Sequence, residues 1–358
     1  MSVIQMMDQG KYTEGRDAIE QALWNEKTAN WPRTHYTKGL LCQQAYEEGY
    51  KKKSSKLTGL YPDQLFLAYS SYEKALELDA RGKFKQLISQ KYYKLSNDFR
   101  QLGSDYFKKS MYEEALRAFE QALVINNSDL VTVPVDTNLV HNTALAAYEG
   151  EQWKKAITYL EGLHEVAHHP GNSLLLYQAL LEEQDSVRAE EVLMEAVELH
   201  NYEKQVVVYL VNLLVQSERY EMALGVLDKA IVHRPDILQF QWSKGLVYRR
   251  MGEYDNAVLS LKKAIELDPE EAKLPYHIGV IYYNRGIELR EESLKIKDNF
   301  RYQAVRAEAR EQFLEAIVWL EKSYEMEPSD SRTISRLHQL YYQLQMKQKE
   351  ESMKLLLD

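Results

Sequence analysis

Cysteine is almost missing from this chain of 358 residues: Cys42 stands alone, so no internal disulfide and no cysteine-based zinc site is available, and packing must hold the fold together. Glycine and proline are scarce too, at 15 and 8 positions. With 45% apolar and 28% charged residues, this is the composition of an ordered, helix-rich protein. No run of 18 apolar residues exists, which argues against direct membrane insertion. The opening residues, Met1-Ser2-Val3-Ile4-Gln5-Met6-Met7-Asp8, lack the charged and apolar regions of an export signal. Basic charge is in deficit. The net charge of −9 argues against nucleic acid as a partner, because such affinity rests largely on clustered Lys and Arg. One basic cluster, Lys51, Lys52, Lys53 and Lys56, reads as a solvated loop. A Gly-rich phosphate loop, a nucleophile elbow and a Cys-His arrangement are also lacking, so no cofactor is expected.

What is present is a period. Ala189, Ala223 and Ala257 recur every 34 residues, as do Ala196, Ala230 and Ala264, Pro235 and Pro269, and Tyr220 and Tyr254. One copy, residues 238–271, holds two apolar-periodic segments of about a dozen residues joined around Met251-Gly252-Glu253, the pattern of a helix-turn-helix unit. Gly245, Ala257 and Ala264 are small where two helices must approach, and Pro269 stops the second helix.

These residues resemble the tetratricopeptide repeat (TPR) family, whose signature carries a Gly, a Tyr, two Ala, an aromatic and a Pro in this order. The resemblance implies an all-α fold, a right-handed superhelix of about eight repeats with a C-terminal capping helix pair, acting as a non-catalytic scaffold for a protein or peptide. Three segments are expected: 1–136, an N-terminal part with an insert at 47–63; 137–271, a regular array; and 272–358, with a long insert at 287–311. That second insert is apolar-periodic at Leu289, Leu294, Ile296, Phe300 and Val305 and reads as two helices each extended by about three turns, a hairpin open to self-association. Residues 130–136, with Pro134, read as a linker. The inserts and Tyr282-Tyr283-Asn284-Arg285-Gly286 resemble exported TPR proteins of Gram-negative bacteria with no assigned activity. That resemblance implies a periplasmic location for a chain whose leader has been removed; the sequence itself shows no signal and is equally compatible with the cytoplasm.

In such arrays the partner lies against the first helices, at positions 2, 5, 9, 12 and 13 of each copy. Carried onto this sequence, the resemblance implies a groove that includes Tyr36, Arg100, Phe107, His141, Tyr148, Asn212, Trp242, Arg249, Arg250, Tyr276, Tyr283 and Asn284. Aromatic and Arg side chains dominate binding hot spots, which draws attention to Trp242, Arg249, Arg250, Tyr276 and Tyr283. Ordinary packing between copies is the plain alternative. The Lys and Asn clamp that some family members use for a terminal carboxylate is replaced here by Arg100, Ser104 and Asn142.

Two further readings stay open. His164-Glu165-Val166-Ala167-His168 matches H-E-x-x-H, the pattern of a zinc hydrolase. Its position at the end of a second helix, just before Pro170-Gly171, fits an exposed helix terminus with His near the negative end of the dipole, and no metal site is expected. The 26 tyrosines raise cell-envelope polysaccharide as another ligand class.

Overall fold

The computed structural model describes residues 1–166 and 169–357, the side chains of residues 165 and 166 excepted. Among these residues there are 19 helices and no strand, so the expected all-α array of helix pairs is the fold. The chain divides into two compact units, 1–186 and 187–358.

The first unit is built from α1 (Val3–Asp8), α2 (Tyr12–Trp24), α3 (Pro32–Lys52), α4 (Ser55–Thr58), α5 (Gln64–Leu78), α6 (Lys85–Phe107), α7 (Tyr112–Asn126), α8 (Thr137–Glu149), α9 (Trp153–Val166) and α10 (Pro170–Glu182). Helices α3 and α5, α6 and α7, and α8 and α9 pack as hairpins, and each hairpin meets the next through its flanks. The basic cluster is not a loop. Lys51 and Lys52 occupy the last turn of α3, beside the negative end of the helix dipole, with Glu48 as their carboxylate, and Lys53 closes the helix in the left-handed conformation.

The second unit comprises α11 (Ser186–Leu199, from Val187 onward), α12 (Lys204–Gln216), α13 (Tyr220–His233), α14 (Leu238–Met251), α15 (Tyr254–Leu267), α16 (Lys273–Ser293), α17 (Asn299–Met326), α18 (Ser331–Gln343) and α19 (Lys347–Lys354). The repeating alanines Ala189, Ala196, Ala223, Ala230, Ala257 and Ala264 are completely buried, as close helix packing requires. Helices α13, α15 and α17 end two residues before Pro235, Pro269 and Pro328, where a proline can no longer donate to the ladder. The long hairpin is asymmetric. Against the 14 residues of α15, α16 has 21 and α17 has 28, additions of about two and about four turns rather than three each.

Glycine on the first helix is what lets the hairpins close. A Cβ on Gly245 would stand 2.8 Å from Leu261 Cγ, and one on Gly279 would stand 2.6 Å from Leu320 Cγ and 3.1 Å from the Ala316 carbonyl oxygen. These are a side-chain branch point and backbone, which cannot swing aside. Gly225 in α13 faces open space. The same substitution should therefore have opposite signs at the two places. Gly225→Ala is expected to stabilise by about 0.5–1 kcal/mol through helix propensity. In Gly279→Ala that gain is outweighed by an overpacking cost of about 1–3 kcal/mol. Denaturant midpoints of the two variants check this directly.

Candidate functional site

The residues assigned to the groove fall in both units, and each set is held by its own unit.

In the first unit several of them are already engaged. Tyr36 packs against Tyr72 and Phe84, at ring separations of 5.9 and 5.2 Å. Gln43, a further groove position on α3, is buried: its amide donates to Asp98 at 3.2 Å and its oxygen accepts from Tyr72 at 3.0 Å. Burial and the facing Glu47 push the Asp98 carboxyl above the ordinary carboxylate range. Phe107 stacks edge-on with Tyr112 and, with Ser104, Lys108, Phe119, Asn142 and Leu145, lines a small cavity of about 190 Å³. His141 Nδ1 lies 2.8 Å from Asn172 Oδ1, and Tyr148 packs on Trp153 at 5.1 Å.

Arg100 has the most instructive surroundings. It pairs at 2.7 Å with Asp136, whose other oxygen caps α8 by accepting from the Leu139 N–H at 3.0 Å. Asp136 ends the non-helical stretch 131–136, and Val133, Pro134 and Val135 line a cavity of about 290 Å³ together with Tyr93, Ser96, Asn97 and Arg100. Here an arginine of a first helix holds the carboxylate of a non-helical segment running across it.

In the second unit the assigned residues converge. Trp242 on α14 packs against His277 on α16, with ring centroids 5.4 Å apart, and His277 meets Tyr276 at 5.6 Å. Trp242 also leans on the buried core around Ala257 and Leu261, so it has a packing role as well. On α18, the Arg332 guanidinium lies 5.4 Å from the Tyr276 ring centre and that of Arg336 lies 4.4 Å from the Tyr283 ring centre. Tyr283 rests on Phe313. Arg250 and Asn212 are exposed, and Asn284 is half-buried on α16. The result is an aromatic and cationic face contributed by α14, α16 and α18, the first helices of three consecutive hairpins.

Its electrostatics are unbalanced. Arg332 shares Asp330, and Arg336 donates to Gln339 at 3.1 Å, but among the described residues no carboxylate stands within ion-pair distance of Arg249, Arg250 or Arg336. Burial, with Arg250 adding its charge, holds the Arg249 guanidinium below its ordinary pKa. Burial, then the charges of Arg249, Arg332 and Lys273, push His277 down to about 4, so its imidazole is neutral at pH 7. Among the described residues, Trp242 Nε1 and His277 Nδ1 are buried without a hydrogen-bond partner.

The sequence analysis singles out none of His277, Arg332 and Arg336, the last two falling in the expected capping helix pair. A signal for one of them existed: the 34-residue frame restarted at 331 puts Arg332 at the second position of its copy.

The H-E-x-x-H reading falls on a segment of which His168 lies outside the described residues. His164 Nδ1 stands 3.2 Å from Ser173 Oγ. Among the described residues, no group of three or more His, Cys, Asp or Glu is placed to hold a metal ion, and no helix is long and apolar enough to cross a membrane.

Residues 245–286, spanning the second half of α14, all of α15 and the first two-thirds of α16, match the TPR repeat family model. No curated protein sequence matches the chain. Among solved structures, the C-terminal part of a TPR repeat-containing protein from Cytophaga hutchinsonii superposes with a TM-score of 0.50 at 16% identity, over 72% of this chain and 93% of that one. A TPR repeats protein from Bacteroides fragilis has a TM-score of 0.36 at 15% identity, over 73% of this chain and 98% of that one. YrrB, described as a TPR protein with an unusual peptide-binding site, has a TM-score of 0.39 at 17% identity, over 62% of this chain and 97% of that one. The repeat match and the superposition on the Cytophaga hutchinsonii protein show the fold of tetratricopeptide repeat proteins.

Proposed function

We propose that this chain is a non-catalytic protein-binding scaffold, and that the face formed by α14, α16 and α18 takes a carboxylate-rich segment of its partner. The single observation that carries this reading is the cluster of Trp242, Arg249, Tyr276, His277, Tyr283, Arg332 and Arg336. It joins flat aromatic surface to the guanidinium groups of Arg249 and Arg336, which among the described residues have no carboxylate within ion-pair distance, although the chain has 54 Asp and Glu to spend. Rigid aromatics with arginine are the composition of binding hot spots. Guanidinium forks favour carboxylates in bidentate geometry. The pairing of Arg100 with Asp136 in the other unit supports the same chemistry, since it seats the carboxylate that ends a non-helical segment against a first helix.

The test is selection from a randomised peptide library against the full chain. Sequences enriched in Asp and Glu, with an aromatic or aliphatic anchor, are the expected outcome. Enrichment of basic sequences, or none at all, would overturn the reading.

A further inference from the structure

The long hairpin carries a second concave feature, whose lining includes none of the arginines and aromatics of the face just described, although Tyr283 of that face rests on its Phe313. A cavity of about 480 Å³ opens between the far half of α16, the added turns of α17 and the turn that joins α18 to α19. Arg290, Arg306 and Arg310 line it together with Gln303, Gln343 and Gln345, and Phe313 forms part of its floor. No carboxylate is among the lining residues, though Glu308 and Glu311 are close by on the same helix. Arg306 donates to the Tyr302 hydroxyl at 2.8 Å, and among the described residues none of the three arginines has an ion pair.

Three guanidinium groups around one opening repel each other, and in a chain of net charge −9 an acidic neighbour would have been easy to supply. The arrangement is therefore unfavourable for the empty protein and favourable for an anion. We propose that this cavity binds a small phosphorylated molecule carrying more than one anionic group. A single carboxylate would balance one arginine of the three. A phosphoryl group offers up to two charges and three acceptor oxygens to forks that match it bidentately. The volume lies within the range of about 300–1,000 Å³ typical of small-molecule sites, larger than one phosphate needs, and the three glutamine amides supply neutral hydrogen bonds for the remainder of the ligand. The site is a consequence of the insert: Arg306 and Arg310 lie on the turns that a 14-residue second helix would lack.

Calorimetric titration of the full chain at constant ionic strength, with pyrophosphate, inorganic phosphate and tetraglutamate as probes, tests this. Pyrophosphate is expected to bind saturably at one site per chain, with inorganic phosphate roughly tenfold weaker or more. In Arg306→Gln/Arg310→Gln the pyrophosphate affinity should fall by about tenfold or more, with no loss in the thermal melt, because both side chains are exposed and their mutual repulsion is relieved. Trp242→Ala, at a residue that does not line the cavity, should leave it unchanged. Absence of pyrophosphate binding, an unaltered affinity in the double variant, or tetraglutamate binding as tightly as pyrophosphate would each overturn the proposal.

Discussion

Replacing Trp242 and Tyr283 together by alanine should weaken capture of a selected acidic peptide by about 100-fold or more, because two aromatic anchors of hot-spot quality are lost at once. The helical circular-dichroism signal should survive. Trp242 also rests on the core of its own hairpin, so its truncation costs folding stability too, on the order of 3–5 kcal/mol if its burial there is fully used. A second variant separates the two effects. Arg249→Gln/Arg336→Gln keeps side-chain bulk, empties no core position and removes two charges without carboxylate partners. It should lower affinity by roughly tenfold or more and flatten its dependence on salt. Unchanged binding in both variants, measured by fluorescence anisotropy of the labelled peptide, would move the site elsewhere.

The stability of the chain should fall as pH drops from about 6.5 toward 4, and His277→Gln should remove part of that fall. The sign follows from proton counting. His277 has an ordinary value of 6.5 when unfolded and about 4 when folded, so between these values the unfolded state binds more protons and stability rises with pH. The contribution is fully present above pH 6.5 and is lost as pH falls through the folded value. A shift of this size corresponds to a loss on the order of 3 kcal/mol at the acid end. Carboxylates elsewhere add their own acid dependence. The informative quantity is therefore the difference in slope between the parent chain and His277→Gln in urea unfolding at pH 7, 6, 5 and 4.5. Parallel slopes would show that the imidazole is not held neutral by burial and by Arg249, Arg332 and Lys273.

The architecture was legible because a repeat writes the same packing requirement many times. Small residues recur at 34-residue steps where helices cross, proline recurs where the second helix must stop, and both survive in the structure at Ala223, Ala257, Pro235 and Pro269. Features that occur once were harder to read. Lys51 and Lys52 looked like loop because they sit near Ser and Gly, yet Glu48 one turn back and the helix dipole make them a helix end. The long hairpin shows in the apolar period, but period alone does not say how added residues divide between two helices, and α17 took about twice as many as α16.

The site was half legible for a related reason. A frame can place Trp242, Tyr276 and Tyr283 on one face, since that depends only on counting within regular helices. It cannot say which arginines remain without carboxylates. Arg100, equally eligible by position, is paired with Asp136, while Arg249 is half-buried without such a partner among the described residues. Nor does a groove frame that ends at the expected cap include α18, whose Arg332 and Arg336 lie on the aromatic rings of the preceding first helix. Charge balance is a property of the assembled surface.

Amide hydrogen exchange of the second unit, recorded with and without a saturating acidic peptide, tests most directly whether the first helices carry recognition. Added protection is expected on α14, α16 and α18 around Trp242, Tyr276, Tyr283 and Arg336, with the outer faces of α13 and α15 unchanged. Protection confined to second helices, or to the far half of the long hairpin, would contradict it.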